Sequence, residues 1–464
     1  MVNHTKLIDS LIDTPLRHNT VCWLSTYLRG RMSSCRYNNT NSPSRHVRTG
    51  VPQGSCISPS LFNFFVSTYP QSDLLTTSYA DDFTDSCSSP NISEAASSLS
   101  AHAQLVGDWA EERGLAISAP KSNITLFTPD RRQSHYHPSV ALNGSQLPLE
   151  RNPRILGVTL DPHFTFAPHI TSLVTRASPR LNILKALAGT TWGQQKETII
   201  VTFKALVRSI FTYAPSVWFP NSSPSNIKMI QNIQNSALRI ATGCVKMSPI
   251  SHLHTETKVL PVMDHLSLLC SQALAKSLQP FHPSFSTVTS PSGPRNMKQT
   301  LQSKFLPSVA PYLIDGSLPP SDYRSTIRSL HTRAVSDTIA SSDPNPLLQA
   351  TPPLIAEEET SLPRHYRTTL AQLRSGYCSS LADYRERVGR STNSRCPSCG
   401  VEPQTVPHLF ACASHPTSLK LVDLWKRPGA VSDFLSRLPF FNLPPLPRPP
   451  PEPPPPPEPP PHVG

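Results

Sequence analysis

The spacing of hydrophobic and polar residues alternates between strand-like and helical along the first 160 residues. The residues on either side of 79–82 can form the arms of a β-hairpin, and the alternating residues at 115–127 predict a second strand pair with Lys121 in its turn. Between these segments, the apolar residues of 95–113 fall on one helical face, and Gly114 follows as a left-handed cap. This part of the chain is therefore predicted to be α+β.

Helical spacing predominates after residue 152. One strand is predicted at 154–160, and helical segments follow at 173–187, 197–209 and 226–241. Gly243 closes the last of these as a C-terminal cap. We interpret the segments as a bundle of three or four helices.

Proline and serine become frequent between residues 280 and 362, where the periodicity weakens and only 322–339 is helical in pattern. This composition predicts a loosely ordered connector. The segment 443–464 has 14 prolines in 22 residues and predicts a disordered, extended polyproline II tail. We divide the chain into regions 1–150, 151–275, 276–361, 362–440 and 441–464.

The balance of charge favours a polyanionic partner. Lysine and arginine outnumber acids 42 to 30, which gives a formal net charge of +12. No apolar run reaches the roughly 18 residues that a membrane span needs, and no signal-peptide pattern opens the chain. An intracellular protein without a membrane partner is the expectation, and the scattered positions of most of the ten cysteines make a disulfide framework improbable.

Asp81 and Asp82 are adjacent acids at the predicted hairpin turn. At about 4 Å in an effective dielectric near 20, two such charges repel by roughly 4 kcal/mol, and a divalent cation relieves the repulsion. Magnesium is the ion that suits oxygen ligands of this kind. A solvated turn without a metal is the alternative that these residues leave open.

A second candidate segment is the glycine-flanked loop at residues 50–55, followed by an apolar run at 61–66 that predicts a buried helix. Glycines on both sides of a rigid proline permit a ligand to approach the backbone closely.

These segments together carry a resemblance to a known family. They are GVPQGS at 50–55, PSLFN at 59–63, YADD at 79–82, GL at 114–115, KSN at 121–123, ILGV at 155–158 and LD at 160–161. In this order, within about 110 residues, they resemble the palm of reverse transcriptases from non-LTR (LINE-type) retrotransposons, especially the Jockey-like branch.

The resemblance implies template-directed nucleotide addition by two metal ions, with RNA template, DNA primer or target and deoxynucleoside triphosphates as partners. Asp81 would be the main ligand of Mg²⁺ or Mn²⁺, and Asp82 would assist. Lys121 would stabilise the departing pyrophosphate, although a surface lysine is an equal alternative. The nucleotide-binding residues would be Gly50, Val51, Pro52, Gln53, Gly54 and Tyr79. A nuclear protein with a cytoplasmic ribonucleoprotein stage is the implied location.

The start of the chain resembles the end of a family phrase, Phe-Asp-x-Val-Asn-His, whose aspartate would lie before Met1. The expectation is a truncated chain in which the first palm strand, the fingers and the endonuclease domain are missing. Two alternatives remain: a catalytically dead nucleic-acid-binding relic, and a retroviral-type enzyme, for which no ribonuclease H carboxylate pattern is found.

Two regions predict nucleic-acid contacts. A helix and then a hairpin are predicted within residues 5–49, and arginines of that hairpin suit phosphate binding, with a solvated basic face as the alternative. These arginines are Arg29, Arg31, Arg36, Arg45 and Arg48. By resemblance the helical bundle is the thumb. Its aromatic residues Trp192, Tyr213 and Trp218 could stack on bases, but core positions are the favoured interpretation.

Near the C-terminus, Cys396, Cys399, His408 and Cys412 have the spacing C-x2-C-x8-H-x3-C. Three thiolates and one imidazole complete a tetrahedral shell, so the spacing predicts a structural Zn²⁺. Jockey-like C-terminal modules carry similar zinc knuckles after a Leu-Arg-Ser-Gly phrase, present here at 373–376. Arginines of this region are predicted to form a basic approach to RNA or DNA: Arg364, Arg367, Arg374, Arg385, Arg387 and Arg390.

Overall fold

A computed structural model describes residues 2–128, 130, 132–289 and 300–444. The chain forms two compact units, Met1–Arg154 with Asp161–His163, and Ile155–Leu160 with Phe164–Gly464. We call them unit 1 and unit 2. The first unit ends close to the boundary predicted at residue 150.

Unit 1 combines helices with short antiparallel strand pairs, in agreement with the predicted α+β class. Its helices are His4–Ile12, His18–Leu28, Ser58–Val66 and Ile92–Glu112, with 3-10 turns at Ala119–Lys121 and Gln133–His135. Its strands are Met32–Ser33, Arg36–Tyr37, Thr40–Asn41, Arg45–His46, Leu75–Tyr79, Asp82–Ser86, Ala141–Leu142 and Ser145–Gln146. Each sheet among the described residues has two strands.

The first three helices of unit 1 share an apolar core that includes Leu7, Leu28 and Phe65. The Asn3 side chain caps the first helix by accepting hydrogen bonds from the N–H groups of Thr5 and Lys6. Such a cap satisfies donors that the first turn leaves free and contributes about 1 kcal/mol.

The basic hairpin is present as predicted. Strand Met32–Ser33 pairs with Arg45–His46, and Arg36–Tyr37 pairs with Thr40–Asn41. Asn38 and Asn39 form the turn with φ of 43° and 62°. Two successive residues in the left-handed region define the turn type that matches the twist of paired strands, and asparagine tolerates it well.

The second predicted strand pair, at 115–127, does not form. Residues 119–121 make a 3-10 turn that includes Pro120, which has no N–H to donate to a strand partner. Ile124 instead accepts a hydrogen bond from the N–H of Glu150 and donates one to the carbonyl of Pro148. A long-range contact has therefore replaced the local hairpin.

Unit 2 is mostly helical. It contains the strand Val158–Thr159 and a π-helical turn at Lys204–Arg208. Its α-helices are Ala167–Ala177, Leu181–Leu187, Lys196–Phe203, Ser209–Phe211, Pro215–Trp218, Pro224–Thr242, Ile250–Thr257, Val262–Ser277, Phe285–Thr289, Leu301–Val309, Tyr323–Ala340, Arg364–Arg374, Ala382–Arg387, Val406–Ala411, Asp423–Lys426 and Pro428–Ser436. The single strand predicted at 154–160 is instead two short strands, Arg154–Ile155 and Val158–Thr159. Leu156 and Gly157, with φ of 45° and 84°, turn the chain between them.

The prediction of a loosely ordered connector does not hold for the described residues of 300–340. The expected helix is present as Tyr323–Ala340, and a further helix, Leu301–Val309, precedes it. Phe305, Val309 and Leu330 are buried in the main apolar cluster of unit 2. The helical pattern is difficult to recognise in the sequence because the segment is rich in serine and only a few of its residues are apolar.

The predicted regions between residues 155 and 440 lie in one compact unit. The assignment of those regions as separate domains stays a prediction. The proline-rich tail lies outside the described residues from residue 445 onward. Among the helices that the structure describes, none is both long and apolar enough to cross a bilayer.

Candidate active site and metal-binding cluster

The predicted acidic hairpin is present. Strand Leu75–Tyr79 pairs antiparallel with Asp82–Ser86, and Tyr79 lies opposite Asp82. Ala80 and Asp81 form the two-residue turn, with Ala80 at a φ of 53°. A non-glycine residue costs about 1–2 kcal/mol in this left-handed conformation. The tight turn thus brings adjacent acids to the tip of the hairpin.

The tip of the hairpin is open to solvent. Asp81 and Asp82 are exposed, and the Tyr79 side chain keeps 67% of its accessible surface. Among the described residues, neither acid has an ion-pair partner, and no third metal-binding side chain joins them within ligand distance. Two carboxylates in water suit a hydrated Mg²⁺, which retains several of its water ligands.

The opposite face of the hairpin is anchored by a polar network that the sequence analysis missed. The Asp85 carboxylate accepts hydrogen bonds from the hydroxyls of Tyr69, at 2.7 Å, and Thr76, at 2.6 Å. The buried His102 ring lies 3.5 Å from the same carboxylate. Burial and the hydrogen bond to Asp85 raise the pKa of Tyr69, so its hydroxyl remains a donor.

Aromatic packing completes this anchor. The Tyr69 ring stacks on Phe83 with centroids 4.4 Å apart and meets Trp109 edge-on at 5.3 Å. Because side chains alternate along a strand, Phe83 and Asp85 point away from the face that carries Asp82. The same alternation in the sequence could have predicted that Asp85 lies on the face opposite to Asp82.

The glycine-flanked loop is held at both ends. The N–H of Gly50 donates to the carbonyl of Val2 at 2.7 Å, and the Tyr27 hydroxyl donates to Ser55 Oγ at 2.6 Å. Gly50 and Gly54 both have a φ of 87°, which explains the need for glycine. Apart from the residues next to each glycine in the chain, no described atom lies within 4 Å of the point where a Cβ would stand, so the space beside the loop is open.

The remaining predicted loop residues are accessible. Val51 and Pro52 are partly buried and Gln53 is exposed. Lys121 is exposed in the 3-10 turn Ala119–Lys121, and among the described residues no hydrogen bond or ion pair joins it to either acid of the hairpin. The structure leaves the role of Lys121 as a prediction.

The four predicted zinc ligands converge. The ligand atoms of Cys396, Cys399, His408 and Cys412 all lie within 4.8 Å of one another. The Sγ atoms of Cys396 and Cys412 are 4.0 Å apart, and Cys399 Sγ lies 3.4 Å from His408 Nε2. Tetrahedral zinc, with bonds of about 2.3 Å to sulfur and 2.0–2.1 Å to nitrogen, requires separations of roughly 3.8 and 3.5 Å. The cluster therefore fits zinc.

Backbone groups prepare two of the thiols for a cation. N–H groups of Glu402 and Val401 lower the pKa of Cys399 to about 6. Burial opposes ionisation of Cys396, but the N–H groups of Cys399 and Ser398 outweigh it and lower the pKa of this thiol. Because a metal binds the thiolate form, both shifts favour occupancy near neutral pH.

Glu402, within the eight-residue spacer, contacts the histidine ligand. One of its carboxylate oxygens lies 2.8 Å from His408 Nδ1. A carboxylate at this nitrogen holds the ring in the tautomer that presents Nε2 to a metal. Glu402 is the one acid of the spacer, but the Cys/His spacing alone did not indicate that it would contact His408.

The predicted basic approach near the C-terminus is wrong for half of its arginines. Arg364, Arg367 and Arg374 are 5%, 5% and 0% exposed. Arg364 donates to backbone carbonyls, Arg367 pairs with Glu197, and Arg374 is bonded to Glu256 and Glu359. Burial and pairing leave these cations unable to reach a phosphate. Arginines that remain exposed are Arg385, Arg387 and Arg390.

The aromatic residues of the helical region also differ in exposure. Trp218 is fully buried in the apolar cluster, which confirms its interpretation as a core residue. Trp192 and Tyr213 remain 56% and 54% exposed, and the Tyr213 hydroxyl donates to the carbonyl of Leu156.

Comparison with known proteins places unit 1 in a family. Residues 1–160 match the family "Reverse transcriptase (RNA-dependent DNA polymerase)". The chain is 28% identical over 250 residues to the probable RNA-directed DNA polymerase from transposon X-element of Drosophila melanogaster. The aligned region covers 53% of this chain and 27% of that protein. It is 26% identical over 252 residues to the RNA-directed DNA polymerase from mobile element jockey of Drosophila funebris, covering 52% and 27%.

The first 160 residues are thus a reverse transcriptase domain. The similarity to the X-element and jockey polymerases confirms the resemblance inferred from the motifs. The chain spans about a quarter of the length of these two relatives.

Proposed function

We propose that the chain is part of an RNA-directed DNA polymerase that extends a DNA primer on an RNA template. The observation that carries the proposal is the exposed acidic pair Asp81-Asp82 at a tight turn inside a domain that matches reverse transcriptases. In this proposal unit 1 supplies part of the palm, and helices of unit 2 supply the thumb. In the same proposal, which rests on the motif resemblance, synthesis is target-primed and takes place in the nucleus after a cytoplasmic ribonucleoprotein stage.

The bound magnesium or manganese ions would activate the primer 3′-hydroxyl and neutralise the triphosphate. Asp81 and Asp82 would hold these ions. The hydrogen bonds and aromatic packing on the opposite face of the hairpin would limit how far the two carboxylates move. Gln53 and the open backbone of the loop at 50–54 would lie against the incoming deoxynucleotide. Tyr79 would pack beside the primer end, and Lys121 would act on the leaving pyrophosphate.

Two-metal chemistry requires oxygens from more than one strand. Among the described residues the hairpin provides two carboxylates from a single turn. We therefore expect almost no extension by residues 1–464 alone and restored extension when a palm strand with an aspartate, taken from a jockey-type relative, is joined ahead of them.

Primer extension on an RNA template tests this proposal. In the longer protein, extension should depend on Mg²⁺ and be lost in Asp81→Asn plus Asp82→Asn, which removes metal ligands at nearly constant shape. Asp73→Asn, at an exposed acid just before the hairpin, is the matched control and should retain activity. Equal extension by the double variant would place the catalytic centre elsewhere. RNA binding without extension, even by the longer protein, would favour the alternative of a nucleic-acid-binding relic.

In the C-terminal region we propose a structural zinc knuckle held by Cys396, Cys399, His408 and Cys412. The fit of the ligand distances to tetrahedral zinc and the lowered pKa values of Cys396 and Cys399 support it. The exposed arginines of the segment 385–390 would bring nucleic acid to this knuckle.

A further inference from the structure

One face of the helix His18–Leu28 carries an aromatic pair, with Trp23 exposed and Tyr27 partly buried, that the proposed chemistry does not use. The ring of Trp23 stacks on that of Tyr27, with centroids 5.7 Å apart and planes 16° from parallel. Trp23 keeps 57% of its accessible surface. An indole ring with that much exposed surface can accept a planar group stacked on its open face.

A cation lies beside the pair. The Arg31 guanidinium is 5.2 Å from the centroid of the Tyr27 ring. Trp23, Tyr27 and Arg31 therefore form a stacked row, with the tryptophan at its open end. We call these three residues the aromatic row.

The aromatic row connects to the glycine-flanked loop. The Tyr27 hydroxyl donates to Ser55 Oγ at 2.6 Å, and Ser55 Oγ in turn lies 3.4 Å from the N–H of Ile57. Tyr27 thus links the row to the loop proposed to contact the incoming nucleotide.

The charge around the row selects the partner. Residues 14–72 contain six arginines and no aspartate, glutamate or lysine. Arg29, Arg36, Arg45 and Arg48 are exposed, and no arginine of this segment forms an ion pair among the described residues. A polyanion complements such a surface, whereas an apolar protein partner would leave its cations unmatched.

We propose that the aromatic row binds single-stranded RNA by stacking an unpaired base on Trp23 while neighbouring arginines hold the phosphates. In a duplex the base faces are already stacked, so only an unpaired nucleotide can offer its face to the indole ring. The row would hold template that has not yet been copied, next to the loop at 50–55. This placement of the template rests on the proposed polymerase function; the binding itself does not.

A binding titration tests the proposal independently of catalysis. Fluorescence anisotropy measures the affinity of the full chain for a labelled eight-nucleotide oligouridine and for an RNA–DNA duplex of equal length. Stacking contributes about 1–3 kcal/mol per base, so Trp23→Ala should weaken single-strand binding by about 5-fold or more. The affinity of Trp23→Ala for the duplex should stay within about twofold of that of the unchanged protein, because the duplex offers no unpaired base to stack on the ring.

Matched variants separate stacking from other effects. Phe281→Ala removes an aromatic ring of unit 2 that is 93% exposed and should leave both affinities unchanged. Trp23→Phe retains an aromatic face and should recover most of the loss, whereas Trp23→Leu, of apolar character without a ring, should not. Circular dichroism and the midpoint of thermal unfolding confirm that each variant is folded.

The results divide cleanly. Single-strand binding that is unchanged in Trp23→Ala, or that falls equally for single strand and duplex, overturns the proposal even when primer extension succeeds. A loss confined to the single strand supports it even when the chain extends no primer, in which case only the polymerase function fails.

Discussion

Polar side chains are exposed in the acidic hairpin but buried and paired in the C-terminal part of unit 2. At the hairpin tip, Asp81 and Asp82 are exposed and lack ion-pair partners among the described residues. In the C-terminal region, Arg374 is completely buried and contacts two acids, and the four Cys/His ligands converge. One region leaves its charges exposed to solvent, and the other uses them to hold the fold.

The comparison shows why a list of charged residues does not identify a binding surface. Arg374 and Arg385 look equivalent in the sequence, yet only Arg385 is exposed. A buried cation needs nearby anions because desolvation costs several kcal/mol per ion. The exposed acids of the hairpin need no such partner because water solvates them. The following predictions test this contrast in order of decreasing effect on stability.

The largest effect is expected from zinc. Structural zinc sites contribute about 10–16 kcal/mol in small peptides, so removal of the metal by a chelator should unfold residues 394–415 and leave unit 1 folded. Metal analysis of protein purified without chelators should give one zinc per chain, and hydrogen exchange should locate the loss. Cys396→Ser plus Cys399→Ser should abolish zinc binding. Cys22→Ser plus Cys35→Ser, at exposed cysteines of unit 1, is the control. A zinc content near zero in the parent would remove the knuckle.

The second effect concerns the buried ion cluster. Arg374 donates to Glu256 at 2.8 and 3.0 Å and to Glu359 at 2.6 and 3.1 Å. Arg374→Met leaves acids buried without their main partner, for which the usual cost is about 3–5 kcal/mol. Urea unfolding should report a loss of this size. Arg333→Met breaks an exposed helical pair with Asp337 and should cost less than about 1 kcal/mol. Similar losses for both variants would contradict the contrast.

A third effect is a pH dependence. Burial, together with the charges of Arg208, Lys204 and His331, lowers the pKa of His265 to about 4. Since the unfolded side chain titrates near 6.5, protonation favours unfolding, and stability falls as the pH decreases from 6.5 toward 4. Between pH 7 and pH 5 this residue accounts for a loss of about 1–2 kcal/mol. His265→Gln should reduce the pH dependence of urea unfolding by that amount; an unchanged dependence would refute the assignment.

The smallest effect on stability is expected at the hairpin tip. Asp81→Asn plus Asp82→Asn should change the free energy of unfolding by no more than about 0.5 kcal/mol, because exposed residues without partners contribute little. The same variant should abolish primer extension. A matched measurement of urea unfolding and of extension on one preparation checks both. A large loss of stability would mean that the acids support the fold, which would weaken the catalytic interpretation.

Local patterns predicted the local features of this protein well. The helix at Ile92–Glu112 with Gly114 after it, the hairpin around Ala80 and Asp81, and the basic hairpin with its Asn38-Asn39 turn all follow from spacing and turn chemistry within about 20 residues. The Cys/His spacing likewise predicted the convergence of its four ligands.

Features that depend on distant residues were predicted poorly. The segment at 115–127 had a strand-like pattern, but Ile124 found its partners at Pro148 and Glu150. Nothing near Asp85 in the sequence indicated that Tyr69 and His102 would contact it. Such contacts depend on how helices and strands pack, which a local pattern does not record.

The sequence by itself determined the resemblance to reverse transcriptases, the acidic turn, the glycine-flanked loop and the Cys/His set, because each resides in a short segment whose chemistry is visible in its residue types. Only the tertiary structure decided which charges face solvent. It buried Arg364, Arg367 and Arg374, left Asp81 and Asp82 exposed, and joined Trp23, Tyr27 and Arg31 in one row. The reason is physical: the fate of a charge or a ring depends on the low-dielectric surroundings and partners that folding brings to it, and these come from all parts of the chain.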